Sequence, residues 1–217
     1  MKKFSFKYFS IFLIFFSSLF VSCLPQISVK AGNSDSADVS FTTGFSQNTA
    51  KTLKTLMGLD ASSPIFKKED ILSLLKSAGV QNPKAELPSS TEISADGKIS
   101  PFSNNVLCKT GILSKSENSL SLTIGTSQIL AFYEILDDEA KSYLDLMMIP
   151  ALIGEKMTAA EYRELLASMY GPAFADEITG GKLTVSLSSP DGKKTLKETI
   201  SLGELFTKAE TRWELKY

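Results

Sequence analysis

Apolar and polar residues alternate with a period of two in several parts of this chain, and such alternation predicts β-strands. The clearest case is residues 180–202, where Leu183, Val185 and Leu187 alternate with polar residues and Pro190-Asp191-Gly192 supplies a turn. This pattern predicts a β-hairpin. The same period predicts strands at residues 37–46, in both halves of residues 105–125, and at residues 211–217.

Other parts of the chain repeat their apolar residues at helical spacing. The predicted helices are residues 46–58, 62–79, 126–154 and 157–171. The last of them has a start signal, because Thr158 precedes Glu161 by three residues, which is the spacing of a capping box. Pro150 is expected to kink or end the long helical region around it.

The order of these elements predicts an α+β fold, with a mixed or antiparallel sheet and helices packed on one face. Residues 80–104 contain Pro83, Pro88 and Pro101 and have irregular apolar spacing, so they are predicted to be a loop with one short strand. Residues 24–36 are small and polar with no clear period, and they are interpreted as a flexible tether.

The first 22 residues differ from the rest of the chain. Lys2, Lys3 and Lys7 precede an apolar run over residues 9–21, which only serines interrupt. A basic start followed by an apolar run of this length is typical of a secretory signal peptide. The run is shorter than the roughly 20 apolar residues that a membrane-spanning helix needs.

The end of this run, Val21-Ser22-Cys23, resembles the lipobox of bacterial lipoproteins, in the relaxed form found in spirochaetes. Phe20 stands where leucine is usual. The resemblance implies that a signal peptidase cuts before Cys23 and that the Cys23 thiol carries a diacylglyceryl group. Two acyl chains on one residue give stable membrane anchoring.

The implied organisation has three parts. Residues 1–22 are the signal peptide, residues 23–36 are the lipidated terminus and tether, and residues 37–217 are one globular domain. The implied location is the cell envelope, with the outer membrane favoured because Leu24 does not resemble an acidic retention signal for the inner membrane.

Composition narrows the function classes once the signal is removed. Without the three lysines of residues 1–22, 20 basic and 24 acidic residues remain, a net charge of −4. A mildly acidic domain lacks the basic surface that nucleic-acid binding requires. We therefore expect a membrane partner through the lipid, and a protein or hydrophobic ligand, but no nucleic acid.

The chain has no histidine, which excludes Ser-His-Asp and Cys-His nucleophile arrangements and histidine-ligated zinc. With Cys23 lipidated, Cys108 has no cysteine partner in the chain. We interpret Cys108 as a buried residue of a strand at residues 105–113 rather than as a reactive thiol. No metal site, cofactor or catalytic residue is assigned.

Residues 143–154 are the most apolar stretch outside the signal. Leu144, Met147, Met148 and Leu152 are the candidates for an apolar surface that binds a ligand or partner. The alternative interpretation is a central core helix, because a helix that is apolar on all sides must be buried.

The densest carboxylate cluster is Glu134, Asp137, Asp138 and Glu139. Two carboxylates can perform acid–base chemistry when their environments differ, but acids at a helix start explain the same cluster through the helix dipole. The sequence therefore favours a non-enzymatic, lipid-anchored envelope protein with a binding or interaction domain. A carrier of lipid or another hydrophobic ligand is the alternative, and a carboxylate-based hydrolase is a third.

Overall fold

The computed structural model describes residues 25–56, 58–134, 141, 149–150 and 154–217. Strands in these residues are β1 Gln26–Ala31, β2 Ala37–Gly44, β3 Val80–Ser89, β4 Glu92–Ile99, β5 Leu113–Lys115, β6 Ser119–Gly125, β7 Lys182–Ser188, β8 Thr195–Ser201 and β9 Glu210–Lys216. Helices are α1 Gln47–Leu56, α2 Lys68–Ser77, α3 Val106–Lys109, α4 Thr126–Glu134, α5 Ala159–Tyr170, α6 Pro172–Gly180 and α7 Leu202–Thr207.

The strands form two sheets. The larger sheet has six strands in the order β3-β4-β2-β1-β7-β8, and the smaller has three in the order β5-β6-β9. Every neighbouring pair is antiparallel except β1 and β7, which are parallel. The α+β class and the mixed sheet that the sequence predicted are therefore confirmed.

One face of the six-stranded sheet is apolar and buried. Ile27, Phe41, Ala95 and Val185 lie on this face in neighbouring strands, because directly paired residues point to the same side of a sheet. Helix α2 packs against β3, and α7 packs against β8 and against helices α5 and α6. The helices thus cover the apolar face, which agrees with helices on one face.

The smaller sheet completes this core. Strand β6 is buried on both faces from Leu120 to Gly125, and β9 adds Trp213 and Leu215 to the buried cluster. The Nζ of Lys115, at the end of β5, donates hydrogen bonds to the carbonyl oxygens of Gly32 (2.9 Å), Ser34 and Ser36 (3.2 Å) in the β1–β2 loop. The two sheets are therefore tied at this loop.

The local signals that the sequence offered are mostly confirmed. Thr158 and Glu161 form the reciprocal capping box at the start of α5. The hairpin over residues 180–202 is β7–β8, and residues 211–217 supply most of β9. Helices α1, α2 and α4 lie within the predicted helical ranges, whereas the continuation of the long region beyond Glu134 falls largely outside the described residues.

The tether prediction for residues 23–36 is wrong where the structure describes it. Residues Gln26–Ala31 form β1, which lies inside the six-stranded sheet between β2 and β7. Ile27, Val29 and Ala31 are buried by those neighbours. Ile27, Val29 and Ala31 do alternate with polar residues, but this signal is only three apolar positions long, and the partner β7 is more than 150 residues away in the chain.

The loop prediction for residues 80–104 is also wrong, because β3 and β4 form a hairpin there. Pro83 and Pro88 obscured the strand pattern. Strand β3 lies at the edge of the sheet, where proline is tolerated, and its pairing with β4 shifts register between Gln81 and Lys84 and again between Glu86 and Ser89.

Cys108 lies in the single turn of helix α3 and not in a strand. The side chain of Asn105 caps this turn by accepting a hydrogen bond from Leu107 N–H at 2.9 Å, and that local bond overrides the apolar pattern. Cys108 is free and half-buried, and burial raises the pKa of its thiol to about 12. Helices α6 and α7 were not predicted by the sequence either.

Candidate functional site

The lipidation site and the apolar candidates that the sequence predicted lie outside the described residues. This holds for Cys23 and for Leu144, Met147, Met148 and Leu152. Within the same apolar stretch, Ile149 is completely buried and belongs to the core cluster. Of the carboxylate cluster, the described member Glu134 is exposed at the end of α4.

The structure presents another candidate, the face of the six-stranded sheet opposite the core, which we call the polar face. Its side chains form three rows that cross all six strands in the order β3-β4-β2-β1-β7-β8. The rows are Gln81-Lys98-Asp38-Lys30-Ser188-Thr195, Lys84-Asp96-Ser40-Ser28-Ser186-Lys197 and Glu86-Ser94-Thr42-Gln26-Thr184-Thr199. Six strands at the usual spacing make this face about 24 Å wide.

The polar face follows directly from the strand sequences. In β2 the residues between the buried ones are Asp38, Ser40 and Thr42, and β4 places Ser94, Asp96 and Lys98 opposite them. Because side chains alternate between the two sides of a strand, these six polar residues point away from the core.

A trough runs across the β1-β2-β4-β3 part of the polar face, with a volume of about 410 Å³. Lys30, Lys84 and Lys98 line it together with Asp38 and Asp96. The remaining lining residues are Ser28, Val39, Ser40, Gln81, Asn82 and Gly97.

The irregular edge strand helps to shape this trough. Asn82 has a positive φ of 50° within the bulged part of β3. Gly97 lets β3 approach closely, since a β carbon there would lie 2.3 Å from Val80 Cγ1 and 3.2 Å from the Gln81 carbonyl oxygen. The bulge and the glycine together place the Gln81 and Asn82 side of β3 at the rim.

The charges of the trough are available to a ligand. Lys30, Lys84 and Lys98 are exposed, as are Asp38 and Asp96, and among the described residues none of the five forms an ion pair. Hydroxyl groups elsewhere on the polar face bond to one another across strands, with Thr184 and Thr199 at 3.0 Å and Ser188 and Thr195 at 3.2 Å.

This arrangement can form hydrogen bonds of both kinds with a polar ligand. Ammonium groups donate hydrogen bonds, carboxylates accept them and hydroxyls do both. Asp38 and Asp96 are both exposed to solvent; Asp38 lies opposite Lys30 and Lys98, whereas Asp96 lies opposite Lys84 and Ser40. Neither carboxylate is buried, whereas the acid of a catalytic carboxylate pair is typically shielded from water.

Two further observations concern metal binding and membrane-spanning helices. Across the described ranges, no three or more cysteine, aspartate or glutamate residues converge closely enough to hold a metal ion. The helices in those same ranges are each too short or too polar to cross a bilayer.

The sequence does not predict the trough, because it predicts only β2 of the four strands that form it. At the positions of β1, β3 and β4 it predicts mainly a tether and a loop. The signal that could have found it is the polar half of each alternation, Asp38 and Ser40 in β2 and Asp96 and Lys98 in β4.

The chain was compared with protein-family models, with curated proteins and with solved structures, and none of the three comparisons found a significant match.

Proposed function

We propose that this chain is a lipid-anchored protein of the bacterial cell envelope and that its domain binds a polar partner through the trough on the polar face. The anchor rests on the basic start, the apolar run and the lipobox-like Val21-Ser22-Cys23. The outer membrane is the favoured location. The binding role is non-enzymatic.

The observation that carries the binding role is the set of unpaired charges in the trough. Three lysines and two aspartates project from one part of a sheet without forming ion pairs among the described residues. A ligand that pairs with them gains charge-assisted hydrogen bonds, which are about twice as strong as neutral ones. The flanking serines lose little side-chain freedom on binding.

The alternative of a hydrophobic-ligand carrier would depend on Leu144, Met147, Met148 and Leu152. Complete burial of Ile149, within the same stretch, favours a core role for that stretch. The hydrolase alternative would need a carboxylate pair with one member shielded from water, and Asp38 and Asp96 are both exposed. We therefore place both alternatives below the polar-face binding role.

The anchor is tested by mass spectrometry of the N-terminal peptide after expression of the full chain in a bacterium that processes lipoproteins. We expect cleavage before Cys23 and the mass of a diacylglyceryl group on it. The Cys23→Ser variant is the control and should accumulate as an unprocessed precursor. A processed, unlipidated wild-type protein would exclude the anchor.

The binding face is tested by photo-crosslinking in the same cells. A photo-reactive amino acid replaces Ser40 in the trough or, as a control, the exposed Glu164 of α5. We expect a discrete adduct from position 40 that is lost when Lys30, Lys84 and Lys98 are changed to glutamate. The same change at Lys51, Lys109 and Lys156, which are exposed elsewhere, should leave the adduct intact. Equal adducts from positions 40 and 164 would contradict the proposal.

A further inference from the structure

The chain is held in place almost as soon as the proposed anchor ends. Pro25 is buried, and its carbonyl oxygen accepts a hydrogen bond from Thr184 N–H at 2.8 Å. From Gln26 onward, β1 pairs with β2 on one side and with β7 on the other. Only Leu24 separates Cys23 from this hydrogen-bonded part of the sheet.

Covalent geometry limits the distance between Cys23 and the start of the sheet. A residue spans at most about 3.3–3.6 Å of extended chain, so the Cα of Cys23 lies within roughly 7 Å of the Cα of Pro25. The headgroup layer on each side of a bilayer is about 5–8 Å thick. A lipid on Cys23 therefore holds the beginning of β1 at the membrane surface.

From this short connection we infer that the bilayer lies against the end of the six-stranded sheet at which β1 begins. This inference rests on the proposed lipidation of Cys23. We call this end, which is formed by strand ends and the turns that join them, the anchor edge. Strand pairing places at the same edge the end of β2 at Gly44, the start of β4 at Glu92, the start of β7 at Lys182 and the end of β8 at Ser201.

The turn between β3 and β4 adds an independent feature to the anchor edge. Leu87 is one of the few large apolar side chains that are exposed, at 37%, and Pro88 beside it is exposed too. Ser89 pairs with Glu92, so both apolar residues lie next to the tip of this hairpin. An apolar, uncharged tip beside a lipid anchor fits the interface of the bilayer that holds the anchor.

The charged residues of the anchor edge predict a membrane contact that is not electrostatic. Glu86 and Glu92 flank the tip, and Lys182 lies on β7. Two glutamates and one lysine do not form a basic surface that attracts anionic lipids. The contact therefore depends on the acyl chains of Cys23 and on Leu87. It should therefore be insensitive to salt.

The orientation also sets the position of the trough. Lys30 is near the far end of β1 and pairs with Asp38, which places that end of the trough about 13 Å further from the anchor edge than Gln26. The β1–β2 loop and the β7–β8 turn lie at the opposite edge, which faces away from the membrane.

The test uses the lipidated full chain in phosphatidylcholine vesicles that contain headgroup-labelled nitroxide lipid. A fluorophore is attached through Ser90→Cys at the hairpin tip or, as the matched control, through Asn33→Cys in the opposite loop, both in a Cys108→Ala background. Both positions are exposed. We expect quenching at position 90 to be several-fold greater than at position 33, with no change between low and high salt.

A linker variant tests whether the short connection is the cause. Twelve glycine and serine residues inserted between Leu24 and Pro25 should reduce quenching at position 90 to that at position 33, while the protein still floats with the vesicles. Flotation with equal quenching at both positions in the original chain would overturn this inference alone, as would undiminished quenching in the linker variant. Failure to float, with unmodified Cys23, would overturn the anchor itself and this inference with it.

Discussion

The two faces of the six-stranded sheet come from the same six strands but have opposite chemistry. Ile93 and Ala95 of β4 point into the core, whereas Ser94 and Asp96, which alternate with them, point to the polar face. Stability and proposed binding therefore depend on alternate residues of one strand. A change on one face should leave the property of the other face intact, and the following predictions test that separation.

The largest effect is expected on the core face. Ile93 is completely buried, and large-to-small changes of this kind cost about 2–5 kcal/mol because they leave a cavity. Ile93→Ala should lower the free energy of unfolding by that amount in urea denaturation of the purified protein. Ser94→Ala, one residue further on the other face, is the control. If both variants unfold at the same denaturant concentration, the two faces are not separated in this way.

A smaller loss is expected in the helix layer over the core face. The carboxylate of Glu177 in α6 accepts hydrogen bonds from Ser46 N–H at 2.8 Å and from the hydroxyls of Ser46 and Thr49 at the start of α1. Glu177→Ala leaves these donors unpaired and should cost about 1–3 kcal/mol in the same urea measurement.

Asp176→Ala is the matched control on the same helix. Asp176 forms an exposed ion pair with Arg163 at 2.6 Å, and solvent-exposed pairs contribute little to stability. A greater loss from the Asp176 variant than from the Glu177 variant would contradict the role assigned to Glu177.

The half-buried thiol of Cys108 reports how well the core side excludes water. Burial and the nearby charge of Asp35 raise the pKa of this thiol from 9.0 to about 12. Alkylation of Cys108 in the folded protein should therefore stay slow through pH 9 and rise only towards pH 12, whereas the urea-unfolded chain should react through pH 9. Mass spectrometry of the Cys108 peptide measures the rate.

The same raised pKa predicts a pH dependence of stability. The pKa of the Cys108 thiol is higher in the folded protein than in the unfolded chain. Its contribution to the free energy of unfolding is therefore fully present below pH 9 and is lost as pH rises towards 12. Cys108→Ala should show a shallower decline over this range. Alkylation of the folded protein that rises already through pH 9 would mean that water reaches the thiol.

The smallest effect on stability is expected on the polar face. Lys98→Ala removes an exposed side chain without an ion pair among the described residues, so the free energy of unfolding should change by less than about 0.5 kcal/mol. The proposed photo-crosslink at position 40 should nevertheless weaken. A stability loss above about 1 kcal/mol would exceed the change expected for a surface substitution and would mean that Lys98 has a structural role.

Much of the fold could be predicted from the sequence where the signal is local. The hairpin β7–β8 has clean alternation and a Pro-Asp-Gly turn, and the capping box of α5 involves residues three apart. The hairpin β3–β4 could not be predicted in this way, because proline is excluded from most strands. Pro83 and Pro88 are accommodated because β3 is an edge strand of the sheet.

The sequence by itself determined the α+β class, the alternation that makes one side of each strand polar, and the pattern from which a lipid on Cys23 is predicted. These depend on neighbouring residues and on side-chain type. The tertiary structure decided that β1 is a central strand and that Lys30, Lys84, Lys98, Asp38 and Asp96 share one trough. The physical reason is that pairing between distant strands sets their register, and no local pattern specifies which strands become neighbours.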